Sequence, residues 1–133
     1  MTPTQKGLAQ WHELATTPDP ARLATLVAKD AVFHSPVVHT PQEGHALVVT
    51  YLSAAAATLG QGEFEYVREI VQGQDAMLEF TCVLDGIHVN GVDIIRFDES
   101  GKIRDFKVMI RPIKAVNKVW ELMAAQLENA RSS

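Results

Sequence analysis

The chain has 133 residues, 47% of them hydrophobic and 21% charged, with a formal net charge of −4 and no block of basic residues. That length predicts one domain over residues 1–133, able to bury roughly two thirds of its unfolded surface, and the charge argues against nucleic acid as a partner. Cys82 is the only cysteine, which excludes an internal disulfide and a cysteine-based zinc site.

No apolar run approaches the ~18 residues of a membrane span, so no membrane association is expected. The opening MTPTQKGLAQWHEL lacks both a charged n-region and an apolar h-region. No signal peptide is therefore expected, and a cytoplasmic location follows by default.

Leu8, Trp11, Leu14 and Ala15 recur at helical spacing and predict a first helix from about residue 6 to residue 16. TTPDP breaks it, and Asp19 followed by Pro20 supplies an N-cap and first-turn proline for a second helix carrying Leu23, Leu26 and Val27. AVFHSP is a short predicted strand ended by Pro36, and VVHTPQEG a loop. A third helix is predicted from near His45 through Leu47, Val48, Tyr51, Leu52 and the alanine run 54–57, with Gly60 ending it. The period then becomes strand-like over residues 63–71, 76–84, 87–97 and 103–110, with turns at QGQD, DG and DESG. A last helix follows Pro112, with Val116, Val119, Trp120, Met123 and Leu127 on one face. Helices first and then a strand meander is an α+β order, and nothing alternates as a βαβ fold requires.

NGVDIIRF, residues 90–97, sets one carboxylate among β-branched aliphatics. An unpaired ionised carboxylate in a core costs several kcal/mol, so Asp93 needs a partner, a proton or water. Alternation puts Asp93 on one face with Gly91, Ile95 and Phe97, opposite Val92, Ile94 and Arg96. In the last strand Phe106, Val108 and Ile110 share a face opposite Lys107, Met109 and Arg111. Two partly apolar faces need two covers: the helices for one, and a second subunit for the other. Arg96 and Arg111 then lie at or near a homodimer contact, or are solvated strand arginines. A bulge at Asn90-Gly91 would shift the register before Asp93.

KDAVFHSP before a helix, and GVDIIRFDESGKIRDFKVMIRP near the end, carry a resemblance to the SnoaL-like group of the nuclear transport factor 2-like superfamily. It extends from about Leu8 to Ile113. The resemblance implies a curved mixed or antiparallel sheet wrapped by N-terminal helices into a cone, with an extra C-terminal helix. It also implies an apolar pocket inside and dimerisation through the outer sheet face. The superfamily includes isomerases, cyclases, hydrolases, binding modules and proteins without catalysis, so it implies fold more narrowly than activity.

Steroid isomerases of that superfamily give a residue-level comparison. Asp93 falls on their oxyanion-hole aspartate, which lies in a strand segment ending in Arg-Phe. A carboxylic acid kept protonated by an apolar site donates a hydrogen bond to an enolate oxygen. Their second donor, a tyrosine on the first helix, corresponds by counting to Trp11, whose indole N–H donates but does not titrate. Their general base, an aspartate before the proline that follows the first strand, corresponds to Ser35. An unactivated serine does not abstract a carbon-bound proton.

Two histidines are candidate substitutes for that base, since imidazole titrates near neutral pH. His34 adjoins Ser35, although alternation turns it away if Phe33 and Ser35 face inward; His39 lies in the following loop, where direction is unconstrained. The expected pocket lining is Trp11, Phe33, Ser35, Tyr51, Cys82, Phe106 and Val108. The histidines lack helical ligand spacing, and no phosphate loop or nucleophile elbow is present, so neither a metal nor another cofactor is expected. These residues suggest a small lipophilic ligand and an isomerase- or cyclase-type acid–base reaction on a carbonyl compound. The alternatives are a non-catalytic small-ligand-binding protein and a dimeric association module with a vestigial pocket.

Overall fold

Thr2 and Gln5 open the first helix with a reciprocal capping box. Thr2 Oγ1 accepts from the Gln5 N–H at 3.1 Å, and Gln5 Oε1 from the Thr2 N–H at 2.8 Å. Helix α1 (Pro3–Thr16) therefore starts earlier than its apolar spacing predicts, with Pro3 in the first turn where its missing N–H costs nothing. The computed structural model describes residues 1–60 and 63–132, with side chains described through residue 128.

Asp19 caps α2 (Pro20–Leu26), its Oδ1 accepting from the Ala21 and Arg22 amides. Val27, expected in that helix, is instead extended and opens β1 (Val27–His34). The predicted loop after Pro36 contains a two-residue strand, β2 (Gln42–Glu43). Gly44, at φ 102°, leads into α3 (His45–Leu59), and Gly60 closes it.

Four strands then follow as expected: β3 (Glu65–Gln72), β4 (Asp75–Leu84), β5 (Ile87–Phe97) and β6 (Ile103–Arg111). Asp85 and Gly86 join β4 to β5 with φ of 50° and 77°, the paired positive values a two-residue hairpin turn requires. α4 (Ile113–Ser132) ends the described chain. It buries Ala115, Val119 and Met123, one stripe at i, i+4 spacing. Trp120, expected on that stripe, is half exposed.

The strands form one sheet in the order β2-β1-β6-β5-β4-β3, mixed because β1 runs parallel to β6. One face carries Phe33, Leu78, Phe80, Ile95 and Phe106 into the core, where Leu8, Trp11, Leu23, Val48, Leu52 and Val119 of the helices meet them. The fold is thus α+β, with a curved sheet packed by helices on its inner face.

Two features of strand register matter for the interior. No bulge interrupts β5 at Asn90-Gly91: Asn90 pairs with Thr81 and Gly91 with Phe80 in unbroken register. Gly91 has a packing role instead, because a Cβ there would collide with the Phe80 ring and the Met109 carbonyl. The bulge lies across the sheet in β3, where Tyr66 pairs with Phe80 but Arg68 with Glu79, leaving Val67 unpaired. Strict alternation would give Tyr66 the same face as Arg68 and Ile70. The extra residue turns Tyr66 to the inner side with Phe80, while Arg68 and Ile70 stay outside.

Candidate functional site

Asp93 sits mid-strand on the inner face of β5, opposite Leu78 of β4 and Val108 of β6, and is only 4% exposed. Its Oδ2 accepts a hydrogen bond from the Tyr66 hydroxyl at 2.6 Å. The same hydroxyl oxygen accepts from the Trp11 indole N–H at 2.9 Å. A chain of two hydrogen bonds therefore runs from α1 through β3 to β5. Burial pushes the Asp93 carboxyl up from its ordinary 3.8 to about 7, against the opposing effect of the Tyr66 hydrogen bond. Burial, and then the neighbouring Asp93 charge, push the Tyr66 hydroxyl upward as well, so it stays protonated and serves as a donor.

These groups form the polar floor of a cavity of about 490 Å³ between the sheet and α1–α3. Its walls are apolar: Leu14 on α1, Leu23 on α2, Leu52 and Leu59 on α3, and Phe106 and Val108 on β6. The run Ala55–Ala57 lines the same space, and small side chains there leave volume that larger ones would fill. Phe64 stacks on Phe80 and meets Tyr66 edge-on at 5.0 Å, which steadies the tyrosine ring. Asp19, the α2 cap, lies on the rim. Among the described residues the Asp93 side chain has no hydrogen-bond partner besides Tyr66.

Four of the sequence-predicted site residues meet here: Asp93, Trp11, Phe106 and Val108. The others lie elsewhere. Phe33 is fully buried behind the cavity wall, between Phe106 and a half-buried Tyr51. Ser35 follows β1, and its Oγ accepts from the Val37 amide at 3.1 Å. Cys82 is buried four residues along β4 from Leu78, roughly 13 Å from the level of Asp93, and burial pushes its thiol up to about 11. His34 faces the outer side of the sheet, 2.9 Å from Asp105 Oδ2. His39 is exposed in the loop after β1. Neither histidine lines the cavity.

Sequence reasoning missed Tyr66 and Phe64. A signal was present: in EFEYVREI, Phe64 and Tyr66 alternate with Glu63 and Glu65, and the alternation fails at Val67-Arg68, where the bulge lies. No cluster of three or more His, Cys, Asp or Glu able to hold a metal occurs among the described residues. Among the described residues, no helix is long and apolar enough to cross a membrane.

The chain thus combines a curved mixed sheet, helices over one face and a buried carboxyl at the floor of an apolar cavity. The SnoaL-like domain family matches residues 8–106, and the chain belongs to that family. A steroid delta-isomerase from Pseudomonas aeruginosa is similar over 100% of this chain and 97% of its own, at 32% identity and a TM-score of 0.93. An uncharacterized bacterial protein with a cystatin-like fold from Silicibacter pomeroyi DSS-3 is 31% identical, with 90% of this chain and 84% of its own covered and a TM-score of 0.83. An NTF2-like protein of unknown function from Mesorhizobium loti shares the fold at 24% identity, with 83% and 92% covered and a TM-score of 0.73. No curated protein matches the chain.

The buried carboxyl predicts a pH-dependent stability. Between its unfolded value near 3.8 and its folded value of about 7, Asp93 keeps in the folded chain a proton that the unfolded chain loses. Its contribution is fully present below about pH 4 and is lost as pH rises to about 7, on the order of 4 kcal/mol in total. Chemical denaturation across this range should show wild-type stability falling relative to Asp93→Asn as pH rises. A difference that stays constant with pH would contradict the buried titration.

Proposed function

We propose that the cavity binds a small, largely apolar carbonyl compound and that the chain acts on it as an isomerase- or cyclase-type acid–base enzyme. The observation that carries this reading is the single buried carboxyl, held by Tyr66 at the floor of an otherwise apolar cavity. With its pKa raised to about 7, Asp93 retains a proton over much of the neutral range. It then donates to a carbonyl oxygen and polarises that carbonyl, stabilising negative charge on its oxygen. Tyr66 is committed to Asp93 and Trp11 to Tyr66, so these two are positioning residues that fix the acid's orientation. The similarity to a steroid delta-isomerase along the whole chain supports the same class of reaction.

A second reading is a non-catalytic protein that holds the same kind of ligand. It is favoured by the absence of a second proton-transfer group on the floor: among the described residues, the only other carboxylate lining the cavity is Asp19, engaged in capping α2. Binding and turnover of a panel of lipophilic ketones, measured separately for wild type and Asp93→Asn, separate the readings. The enzyme reading expects turnover to fall about a hundredfold or more in the variant while binding persists. Wild type that binds ketones without turning any over supports the holder. Turnover unchanged in Asp93→Asn removes the acid role.

We propose further that a second copy of the chain covers the outer sheet face. There Ile70, Met77 and Met109 are 56%, 42% and 52% exposed around a groove of about 420 Å³ that also carries Arg68, Glu79 and Arg111. Glu79 is held within the chain by Arg68 at 2.9 Å and Asn90 at 3.0 Å, so its charge is already paired beside an apolar floor, which suits a two-fold contact. Sedimentation should give a dimer at micromolar concentration, and Met109→Glu should give a folded monomer. A wild-type monomer under those conditions would remove the claim.

A further inference from the structure

The cavity's aromatic and charged lining has a second consequence for what it can hold. Four aromatic side chains, Trp11, Phe64, Tyr66 and Phe106, line the same space as Asp93. They come from α1, the segment before β3, β3 and β6, so four separate parts of the chain each contribute a ring to the lining. Trp11 meets Phe106 edge-on at 4.9 Å, and Phe64 meets Tyr66 edge-on at 5.0 Å. Ring faces attract cations through their quadrupole, most strongly where water is excluded. The formal charges on the lining are both negative, Asp93 on the floor and Asp19 on the rim. No Lys, Arg or His lines the cavity among the described residues.

We propose that the cavity is also a site for a lipophilic ammonium ion, with the Asp93 carboxylate as counter-ion and Trp11, Phe64, Tyr66 and Phe106 as walls, and that it turns away lipophilic carboxylates. This rests on the reading of the cavity as a ligand site, and it adds a charge rule to that reading. The chemistry divides by the state of one group. Protonated Asp93 offers a hydrogen to a neutral carbonyl; ionised Asp93 offers a full negative charge to a cation. A carboxylate ligand finds no cation on the described lining in either state, and taking it out of water uncompensated is expensive.

Few other groups interfere with that titration. Across the sheet Asp93 faces Leu78 of β4 and Val108 of β6. β3 presents Tyr66, itself held protonated, and α1 presents the indole of Trp11. The next ionisable pair outward is His12 with Glu69, 2.6 Å apart, both substantially exposed and neither lining the cavity. α3 contributes Leu52, Ser53, three alanines and Leu59, none of which titrates. The turn before α2 contributes Asp19, whose carboxylate is engaged by two backbone amides.

The test uses three probes with one decalin body: trimethyl(decalin-2-yl)ammonium, 2-decalone and decalin-2-carboxylate. Each is titrated calorimetrically into the wild-type chain at pH 5.5 and 8.5. The quaternary ammonium cannot lose a proton, so any pH dependence belongs to the protein. For a group titrating near 7, its affinity should rise roughly thirtyfold between those pH values. The ketone should bind more tightly at the lower pH, and the carboxylate at least about tenfold more weakly than the ketone at both. In Asp93→Asn the ammonium's pH dependence should vanish, and its affinity should stay at the low-pH level. Ammonium affinity that does not rise with pH, or a carboxylate that matches the ketone, overturns the charge rule and leaves the carbonyl reading intact. Failure of all three probes to bind overturns both. The comparison across pH within the wild type stands even if the variant folds poorly.

Discussion

The carboxyl of Asp93 has to be satisfied inside an apolar interior, and the Tyr66 hydroxyl is what satisfies it. That requirement reaches well beyond β5. Tyr66 faces inward because Val67 is an extra residue in β3, so the bulge and the buried acid form one device. Trp11 completes the chain by donating to Tyr66, which ties the position of α1 to the sheet. Removing one partner would leave another polar group buried and unpaired, and such losses usually cost about 1–3 kcal/mol each. The arrangement also keeps a titratable group away from water while leaving one oxygen open to the cavity.

The cavity persists because its surroundings decline to fill it. α3 presents Ala55–Ala57 toward the space, and the large side chains of Phe33 and Tyr51 are engaged with each other behind Phe106. The opposite face of the sheet follows another logic. Its methionines and Ile70 are exposed among charges of both signs, and its one histidine–carboxylate pair, His34 with Asp105, is remote from the buried acid. The inner face encloses a cavity around one acid, and the outer face leaves apolar side chains exposed among charges.

Much of this was legible in the residues. The change from helical to strand period after the alanine run located the meander, and Asp85-Gly86 announced one of its two-residue turns. Alternation along β5 grouped Asp93 with Gly91, Ile95 and Phe97, which are buried, and alternation along β6 set Arg111 on the face opposite Phe106 and Val108. What alternation could not give was Tyr66, because a bulge inverts the face of every residue before it. Gly91 drew attention as a bulge candidate, whereas its missing Cβ makes room for the Phe80 ring. The start of α1 was misplaced because the apolar period begins after the cap, and the reciprocal Thr2–Gln5 bonds set the boundary. Ser35 was named because it falls on the general-base position of the resembled isomerases, and His34 and His39 as substitutes near it; the cavity forms around α1, α3 and the middle of the sheet instead.

The central claim is that burial, moderated by one tyrosine, holds the Asp93 carboxyl close to neutrality. Its own titration, followed by the ¹³C chemical shift of the side-chain carboxyl in wild type and in Tyr66→Phe, tests that directly. The account predicts a wild-type midpoint of about 7 and a higher midpoint in the variant, because the hydrogen bond that favours the ionised form is gone. A midpoint near the ordinary 3.8, or one that Tyr66→Phe leaves in place, would contradict it.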